Sequence, residues 1–457
     1  MPQGRGVSVW QGLNPPQMLV GSFLLVIAFG TLGLKSLPGL YTGQPLSWVD
    51  ALFTSTSAVC VTGLIVVDTA TYFTPLGQGL LLLLIQLGGL GMLAFSSLII
   101  VALGKRLSLR AETIAGDRRA NGPNLDAKRL TLDVIRFTLV IEAIGALMLY
   151  TVWGPRLGWS EAVWPSVFHS VSGFCNAGFS TNTDSLIGFQ NSPATLATIS
   201  FLIIAGGIGF LTMEEAFLNL FSRDWRQRNR LSLHSRLVLW TTAFLLVIGG
   251  ILFIWFESDS HMAGLSRFDR ISNGLFMSVT ARTAGFNSID YGQATDSVNF
   301  LTILLMLIGG SPGSTAGGLK TTTFAVIGLL AWSRMRSETT TSFAGRSIPE
   351  ETIQRATGIL VVSVAIVAMG VFALSGSDPL PNRENRFLLR LFEVCSAFGT
   401  VGLSLNLTPE LSTTGRLIIT LLMLLGRVGP LTLAAALVIR RARSGQFRYA
   451  YEDVIVG

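Results

Sequence analysis

The sequence predicts an all-α polytopic membrane protein built from four tandem helix–pore loop–helix repeats. Eight transmembrane helices and four re-entrant pore helices would surround one pseudo-fourfold pore. Three observations carry this. Half of the 457 residues are apolar and 13% are charged, which excludes a soluble globule and a disordered chain. Apolar runs long enough for a bilayer, with one charge or none, recur eight times. Four matching segments, SAVCVTGL, SGFCNAGF, VTARTAGF and SAFGTVGL, hold Gly63, Gly178, Gly285 and Gly402 at intervals of 115, 107 and 117 residues. Such a period is too long for a solenoid unit and suits a membrane hairpin module.

Taken in order, repeat 1 covers residues 1–104 with spans at 17–34 and 73–104. Repeat 2 covers 131–222, with spans at 137–155, which contains Glu142, and 185–213. Repeat 3 covers 237–333, with spans at 237–256 and 297–319. Repeat 4 covers 356–439, with spans at 356–377 and 417–439, the latter containing Arg427. Residues 105–130, 223–236 and 334–355 are linkers, and 440–457 is a tail. The first span follows a weakly charged stretch without a small-residue cleavage site, so it reads as a permanent helix.

Basic residues set the orientation. The linkers and tail hold seven, five, four and four Lys or Arg within 105–129, 223–236, 334–355 and 440–448, against eight on the opposite side. Both termini and the linkers are therefore expected in the cytoplasm. The net charge of +7 is mostly topology and gives no argument for nucleic-acid binding.

Between the two spans of each repeat, about 12 residues precede the glycine, too few to cross. The segment must enter and leave on the outer face as a half-helix, with Ser47 and Ser160 at expected N-cap positions. Phe53, Phe168, Phe276 and Phe392 mark the apolar faces of these half-helices. Their C-terminal dipole ends would favour a cation. The residues that follow are Val61, Thr62 and Gly63; Asn176, Ala177 and Gly178; Thr283, Ala284 and Gly285; Thr400, Val401 and Gly402. Glycine opens backbone conformations closed to other residues, so successive carbonyls can face one axis. Four such strands make oxygen rings that replace the hydration shell of a bare monovalent ion. K⁺ would meet Thr62, Gly63, Ala177, Gly178, Ala284, Gly285, Val401 and Gly402. None of the twelve positions is acidic, which disfavours a carboxylate cage for a divalent ion.

The second span of repeat 3 is interrupted by Gly309, Gly310, Ser311, Pro312, Gly313, Ser314, Thr315, Ala316, Gly317 and Gly318. Five glycines and a proline make a continuous helix improbable there. Milder versions, GGLG from Gly88, GGIG from Gly206 and GRVG from Gly426, suit a bend or a close helix crossing. A polar loop at mid-membrane must line a cavity, where it can obstruct an ion path or swing aside.

SAVCVTGL, TARTAGFN around Gly285 and GGSPGSTAGGLKT from Gly309 to Thr321 carry a family resemblance that covers essentially the whole chain. The chain resembles the Trk/Ktr/HKT superfamily of K⁺ transporters, and most of all the KtrB subunits of bacterial Ktr systems. The resemblance implies a fourfold pseudosymmetric pore with an intramembrane gate, and K⁺ uptake often stimulated by Na⁺. It also implies a homodimer carrying a cytoplasmic, KtrA-like ring of nucleotide-binding regulatory subunits. In plant relatives a serine at the first filter position goes with Na⁺ transport; Gly63 stands there in this chain and favours K⁺.

Three cations lie where bilayer depth makes charge costly: Arg282, Lys320 at the end of the interruption, and Arg427. Arg282 is expected to brace the filter through carbonyls or a carboxylate, Glu393 or Asp290. Arg427 could hold the loop through backbone carbonyls, stand as an electrostatic barrier, or pair with Glu142. Cys60, Cys175 and Cys395 read as buried packing residues. No Walker A run, dinucleotide-binding fingerprint or HExxH is present, so no enzyme activity and no organic cofactor are expected. The competing function is an alternating-access Na⁺/K⁺ symporter, which would want paired inverted repeats with broken helices. The reading of a single strongly broken helix weighs against it, and a flux-free scaffold leaves the four glycines unexplained.

Overall fold

A computed structural model describes residues 15–93, 127–221, 231–258, 260, 262–379 and 385–437. Most of the first two predicted linkers, the end of the 73–104 span and the whole 440–457 tail lie outside the described residues. Every described repeat begins with a long helix: α1 (Pro15–Ser36), α5 (Ala127–Leu157), α9 (Leu233–Glu257) and α13 (Glu350–Ser377). Each is followed by a helix that stops at a candidate segment: α2 (Trp48–Val59), α6 (Trp159–Cys175), α10 (Arg267–Thr280) and α14 (Arg386–Gly399). After a one-turn α3 (Thr69–Tyr72), the second helices are α4 (Pro75–Leu93), α7 (Pro193–Ile208), α11 (Asp296–Leu307) and α15 (Thr413–Val428). Three of them continue after a break, as α8 (Phe210–Phe221), α12 (Thr321–Met335) and α16 (Pro430–Leu437).

Local chemistry explains where the short helices begin. Ser47 caps α2 by accepting the Asp50 N–H at 3.1 Å, and Ser266 caps α10 by accepting that of Asp269 at 3.2 Å. Ser160 does not cap α6, which starts one residue earlier behind Gly158 at φ +92°. A left-handed glycine lets α5 turn into α6 across a single residue, and the expected cap falls inside the first turn.

Among the described residues four helices, α1, α4, α9 and α13, are long and apolar enough to cross a membrane, and the pairs α7–α8 and α15–α16 qualify as bent spans. Large apolar side chains on the long helices, such as Phe29, Trp255 and Phe372, are exposed, as a hydrocarbon solvent requires. Phe53, Phe168, Phe276 and Phe392 are fully buried, so the short helices form the centre and the long ones the shell.

The breaks are sharper than the sequence suggests. The α7–α8 pair bends by 106° and the α15–α16 pair by 93°, so the reading of a single strongly broken helix is corrected. Gly209 at φ +89° and Gly429 at φ +86° terminate the upper halves. Pro430 then starts α16, where its missing N–H costs nothing. Between α11 and α12, residues 309–318 leave the helix, and Ile308 and Leu319 pair as a parallel bridge that closes the neck of the loop.

Candidate functional site

The α2, α6, α10 and α14 helices deliver their C-termini to one place, where the four glycine segments take up similar backbone geometry. Val61, Asn176, Thr283 and Thr400 have φ of 55°, 59°, 70° and 50°, and Gly63, Gly178, Gly285 and Gly402 have φ of 90°, 69°, 76° and 93°. Thr62, Ala177, Ala284 and Val401 between them do not share the positive φ. Positive φ at every second position gives the four segments the same local turn.

Most N–H groups of these segments bond behind them, to their own helices. Those of Thr62, Ala177, Ala284 and Val401 donate to the carbonyls of Ser57, Ser172, Thr280 and Ser396 at 2.8, 2.8, 3.0 and 2.8 Å. Gly63 and Gly402 donate to the hydroxyls of Ser57 and Ser396, both at 3.1 Å. The hydroxyls of Ser57, Ser172 and Thr280 donate in turn to the carbonyls of Leu64, Phe179 and Phe286 at 2.7, 2.7 and 2.8 Å. One hydroxyl thus ties each segment to its own helix. Sequence reasoning missed these four residues, although Ser57, Ser172 and Ser396 open the quoted segments and Thr280 stands second in its own.

The glycines abut in cyclic order. A Cβ on Gly63 would stand 2.4 Å from the Ala177 oxygen, one on Gly178 2.8 Å from that of Ala284, and one on Gly285 2.4 Å from that of Val401. The circle closes at Gly402, whose Cβ would stand 2.1 Å from the Thr62 oxygen. With φ positive at all four, only glycine fits both the space and the conformation. Above this ring lies a vestibule of about 300 Å³, lined by all four glycines, by Asp68, Asp184 and Asp290, and by Asn406 where the fourth repeat has no acid.

Below the ring, the 309–318 loop is stitched to the other repeats. Ser311 and Thr315 donate backbone N–H groups to Gly207 and Gly206 at 2.9 and 3.2 Å, and Gly318 donates to Gly426 at 3.3 Å. Phe210 N–H donates to Gly313 O at 3.1 Å, just past the break in the second repeat. Gly309 and Leu319 close the neck with a 2.7 Å bond. A Cβ on Gly317 would meet the Thr400 hydroxyl at 2.2 Å, so the loop lies directly against the glycine segment of the fourth repeat. Gly88, Gly206 and Gly426 also press on the carbonyls of Val59, Phe174 and Phe398, so these motifs are close helix crossings as well as anchor points.

The three cations belong to this lower layer. Arg427 is 1% exposed and donates through Nη1 to Thr315 O and through Nη2 to Gly88 O at 3.0 Å. Lys320 Nζ donates to Ala316 O at 2.6 Å across its own loop. Arg282 Nη2 donates to Gly309 O at 3.4 Å. Arg282 also borders a cavity of about 20 Å³ with Asn176 and Gly310, room for one water.

Two expected pairings are corrected. Glu393 accepts from Ser404 at 2.8 Å and from Thr408, and Asp290 accepts from Gly292 N–H and Gln293 at 2.9 Å each; neither meets Arg282. Glu142 accepts from Gln86 at 3.0 Å, with the Cys175 thiol 3.9 Å away, and does not pair with Arg427. All three carboxyls take neutral donors, so no arginine has to leave its carbonyls to meet them. Cys60, Cys175 and Cys395 are buried free thiols.

Comparison with known proteins agrees with this architecture. Residues 14–446 match the family model TrkH, described as cation transport protein. The chain is 39% identical to Ktr system potassium uptake protein B of Bacillus subtilis, over 98% of this chain and 98% of that one. It is 37% identical to potassium/sodium uptake protein NtpJ of Enterococcus hirae, over 97% of this chain and 98% of that one. The fold matches the crystal structure of the potassium transporter TrkH from Vibrio parahaemolyticus with a TM-score of 0.74 at 18% identity, covering 96% of this chain and 87% of that one. A membrane-integral chain with these relatives over nearly its full length belongs to the TrkH family of cation transport proteins.

Proposed function

We propose that the chain is the K⁺-translocating membrane subunit of a Ktr-like uptake system, with channel-like conduction through a filter of backbone carbonyls. The observation that carries this reading is the closed circle of Gly63, Gly178, Gly285 and Gly402, each against the carbonyl that precedes the next glycine. Carbonyls freed by N–H groups bonded behind them replace a hydration shell at small cost when the ring is held rigid. K⁺ is held at Thr62 and Gly63, Ala177 and Gly178, Ala284 and Gly285, and Val401 and Gly402, with Val61, Asn176, Thr283 and Thr400 completing the filter. Relatives whose names say potassium uptake, and in one case potassium and sodium, support K⁺ as cargo and Na⁺ as a second ion.

Residues 309–318, with Lys320 and Arg427, act as the gate, and Arg282 and Glu393 steady the loops around the filter. The repeats divide at 1–104, 131–222, 237–333 and 356–439, joined by cytoplasmic linkers. The vestibule faces outward from a bacterial inner membrane and both termini lie in the cytoplasm. The subunit works as a homodimer on a cytoplasmic nucleotide-binding ring, a reading supported by relatives named as parts of a Ktr system.

The test is K⁺ and Na⁺ flux through purified protein in liposomes, with Gly63→Ser beside the original. The original is expected to prefer K⁺, and the variant to let Na⁺ compete. An unaltered preference in the variant would overturn the filter assignment. Single-channel-like currents that reverse with the gradient are expected, whereas strictly coupled Na⁺/K⁺ movement would favour the symporter. Four like glycine segments that close into one ring, in place of paired inverted repeats, support the channel; the three broken helices do not decide between the two readings.

A further inference from the structure

The 309–318 loop meets the glycine segments at two opposite copies. On one side Thr315 Oγ1 donates to Phe174 O at 3.2 Å, two residues before Asn176. On the other, Gly317 and Gly318 lie against Thr400 and Gly399: a Cβ on Gly318 would stand 3.3 Å from Gly399 Cα, and one on Gly317 would meet Thr400 Oγ1 first. In the cyclic order of the glycines the second and fourth copies are not neighbours. A loop that belongs to the third repeat therefore reaches both of the copies that flank its own.

The two contacts differ in kind. Thr315 has found an acceptor, whereas Thr400, 1% exposed, has an enclosed hydroxyl with no hydrogen-bond partner among the described residues. What the loop presents to that hydroxyl is the Cα of Gly317, a carbon without lone pairs and at best a weak donor. Leaving a buried hydroxyl unpaired costs free energy that contact with water would return.

The position of this hydroxyl is fixed by the backbone. Thr400 stands at φ +50°, where β-branched residues are rarely found, in the turn that opens the fourth glycine segment. The turn itself does not need the hydroxyl, because Val61 holds the same place in the first copy at φ +55°.

We propose that Thr400 is a positioning residue for the loop, its unpartnered hydroxyl favouring the arrangement in which Gly317 has withdrawn. The proposal rests on the reading of residues 309–318 as the gate. A group shifts a two-state equilibrium only by interacting differently with the two states. With the loop seated, the hydroxyl is shut against a carbon; with the loop aside, water in the path below reaches it and supplies the missing bonds. The first residue of the fourth segment thus keeps the seated loop from being too stable to leave.

The experiment is rubidium uptake into liposomes by the purified full-length chain, by Thr400→Val and Thr400→Ser, and by a chain shortened within 310–317 with and without Thr400→Val. Valine keeps the branched shape, matches Val61 and removes only the hydroxyl. Thr400→Val is expected to lower flux several-fold and at the same time to raise the unfolding temperature, and Thr400→Ser should recover part of the lost flux. In the shortened chain the valine substitution should lose most of its effect. Flux at or above the original in Thr400→Val, or lower flux together with a lower unfolding temperature, would overturn the proposal. So would the same several-fold loss in both backgrounds, which would place the hydroxyl in the ion path itself. A shortened chain that conducts no better than the original would remove the gate and this proposal with it, whereas raised flux with a loop-independent effect of valine would remove only the role of Thr400.

Discussion

Arg427 reaches out of the fourth repeat to the carbonyl of Thr315 in the third, and its other terminal nitrogen holds Gly88 in the first. One guanidinium therefore joins three repeats at the level of the interrupted loop, using a planar fork that a point charge cannot reproduce.

Replacing Arg427 separates a tether from a barrier. Arg427→Gln is expected to raise K⁺ flux severalfold in liposomes, because the loop loses its clamp. Arg427→Lys should behave like Arg427→Gln if the double carbonyl contact matters, and like the original if charge alone matters. Reduced yield with unchanged flux per folded protein would leave Arg427 a purely structural brace.

Shortening the loop within 310–317 should also raise flux. The neck bond between Gly309 and Leu319 lies outside the deletion, so α11 and α12 remain joined. Equal or lower flux at normal expression would mean that the loop supports the ring instead of closing the path beneath it.

Ser57→Ala and Ser396→Ala test the hydroxyl anchors. Each removes the partner of a glycine N–H, buried at Gly63 and partly buried at Gly402, and an unpaired buried group costs about 1–3 kcal/mol. A several-fold loss of K⁺ over Na⁺ preference should accompany lower thermal stability, and Ser→Thr should recover part of both. Ser57 is expected to be the more sensitive, since it also donates to Leu64 O at 2.7 Å. Intact selectivity in both alanine variants would show that the anchors serve folding alone.

Gly402→Ala combines positive φ with a collision at 2.1 Å on the Thr62 oxygen. Left-handed strain alone costs about 1–3 kcal/mol, and the backbone carbonyl cannot step aside as a flexible side chain would. Flux should fall at least tenfold, measured as rubidium uptake. Gly358→Ala, a substitution in α13 where an added Cβ meets nothing within 4 Å, serves as the tolerant comparison.

Asp50 and Arg416 meet at 2.5 Å with side chains 18% and 23% exposed, linking the first and fourth repeats. Partial exposure limits the pair, so a double-mutant cycle with Asp50→Asn and Arg416→Gln should return a coupling of about 1 kcal/mol. A coupling near zero in unfolding measurements would show the contact to be incidental.

What the sequence made legible follows from what repeats. The four glycines were visible because a fixed backbone conformation leaves a fixed residue type at nearly constant spacing. The hydroxyl anchors were harder, since Thr280 lies five residues before its glycine and the other three lie six before theirs. The bends at Gly209 and Gly429 were hidden because GGIG and GRVG spell close packing as well as breaks. Carbonyl contacts were among the sequence expectations for Arg282 and Arg427, and the structure has them, whereas the particular carbonyls and the partner of Glu142 were not readable. Neutral donors and backbone carbonyls meet these groups, so no search for opposite charge would have found them.

The circle of glycines has a seam. Three of its four contacts join neighbours in the chain, while the contact of Gly402 with Thr62 joins the last copy to the first. A ribosome that has made three repeats has made three sides of an aperture and no aperture. The ring can close only when the fourth short helix docks against residues synthesised some 340 positions earlier, and the proposed discrimination would arise only then. Until then the partial assembly is an open trough, and the last quarter of the chain both completes it and seals it.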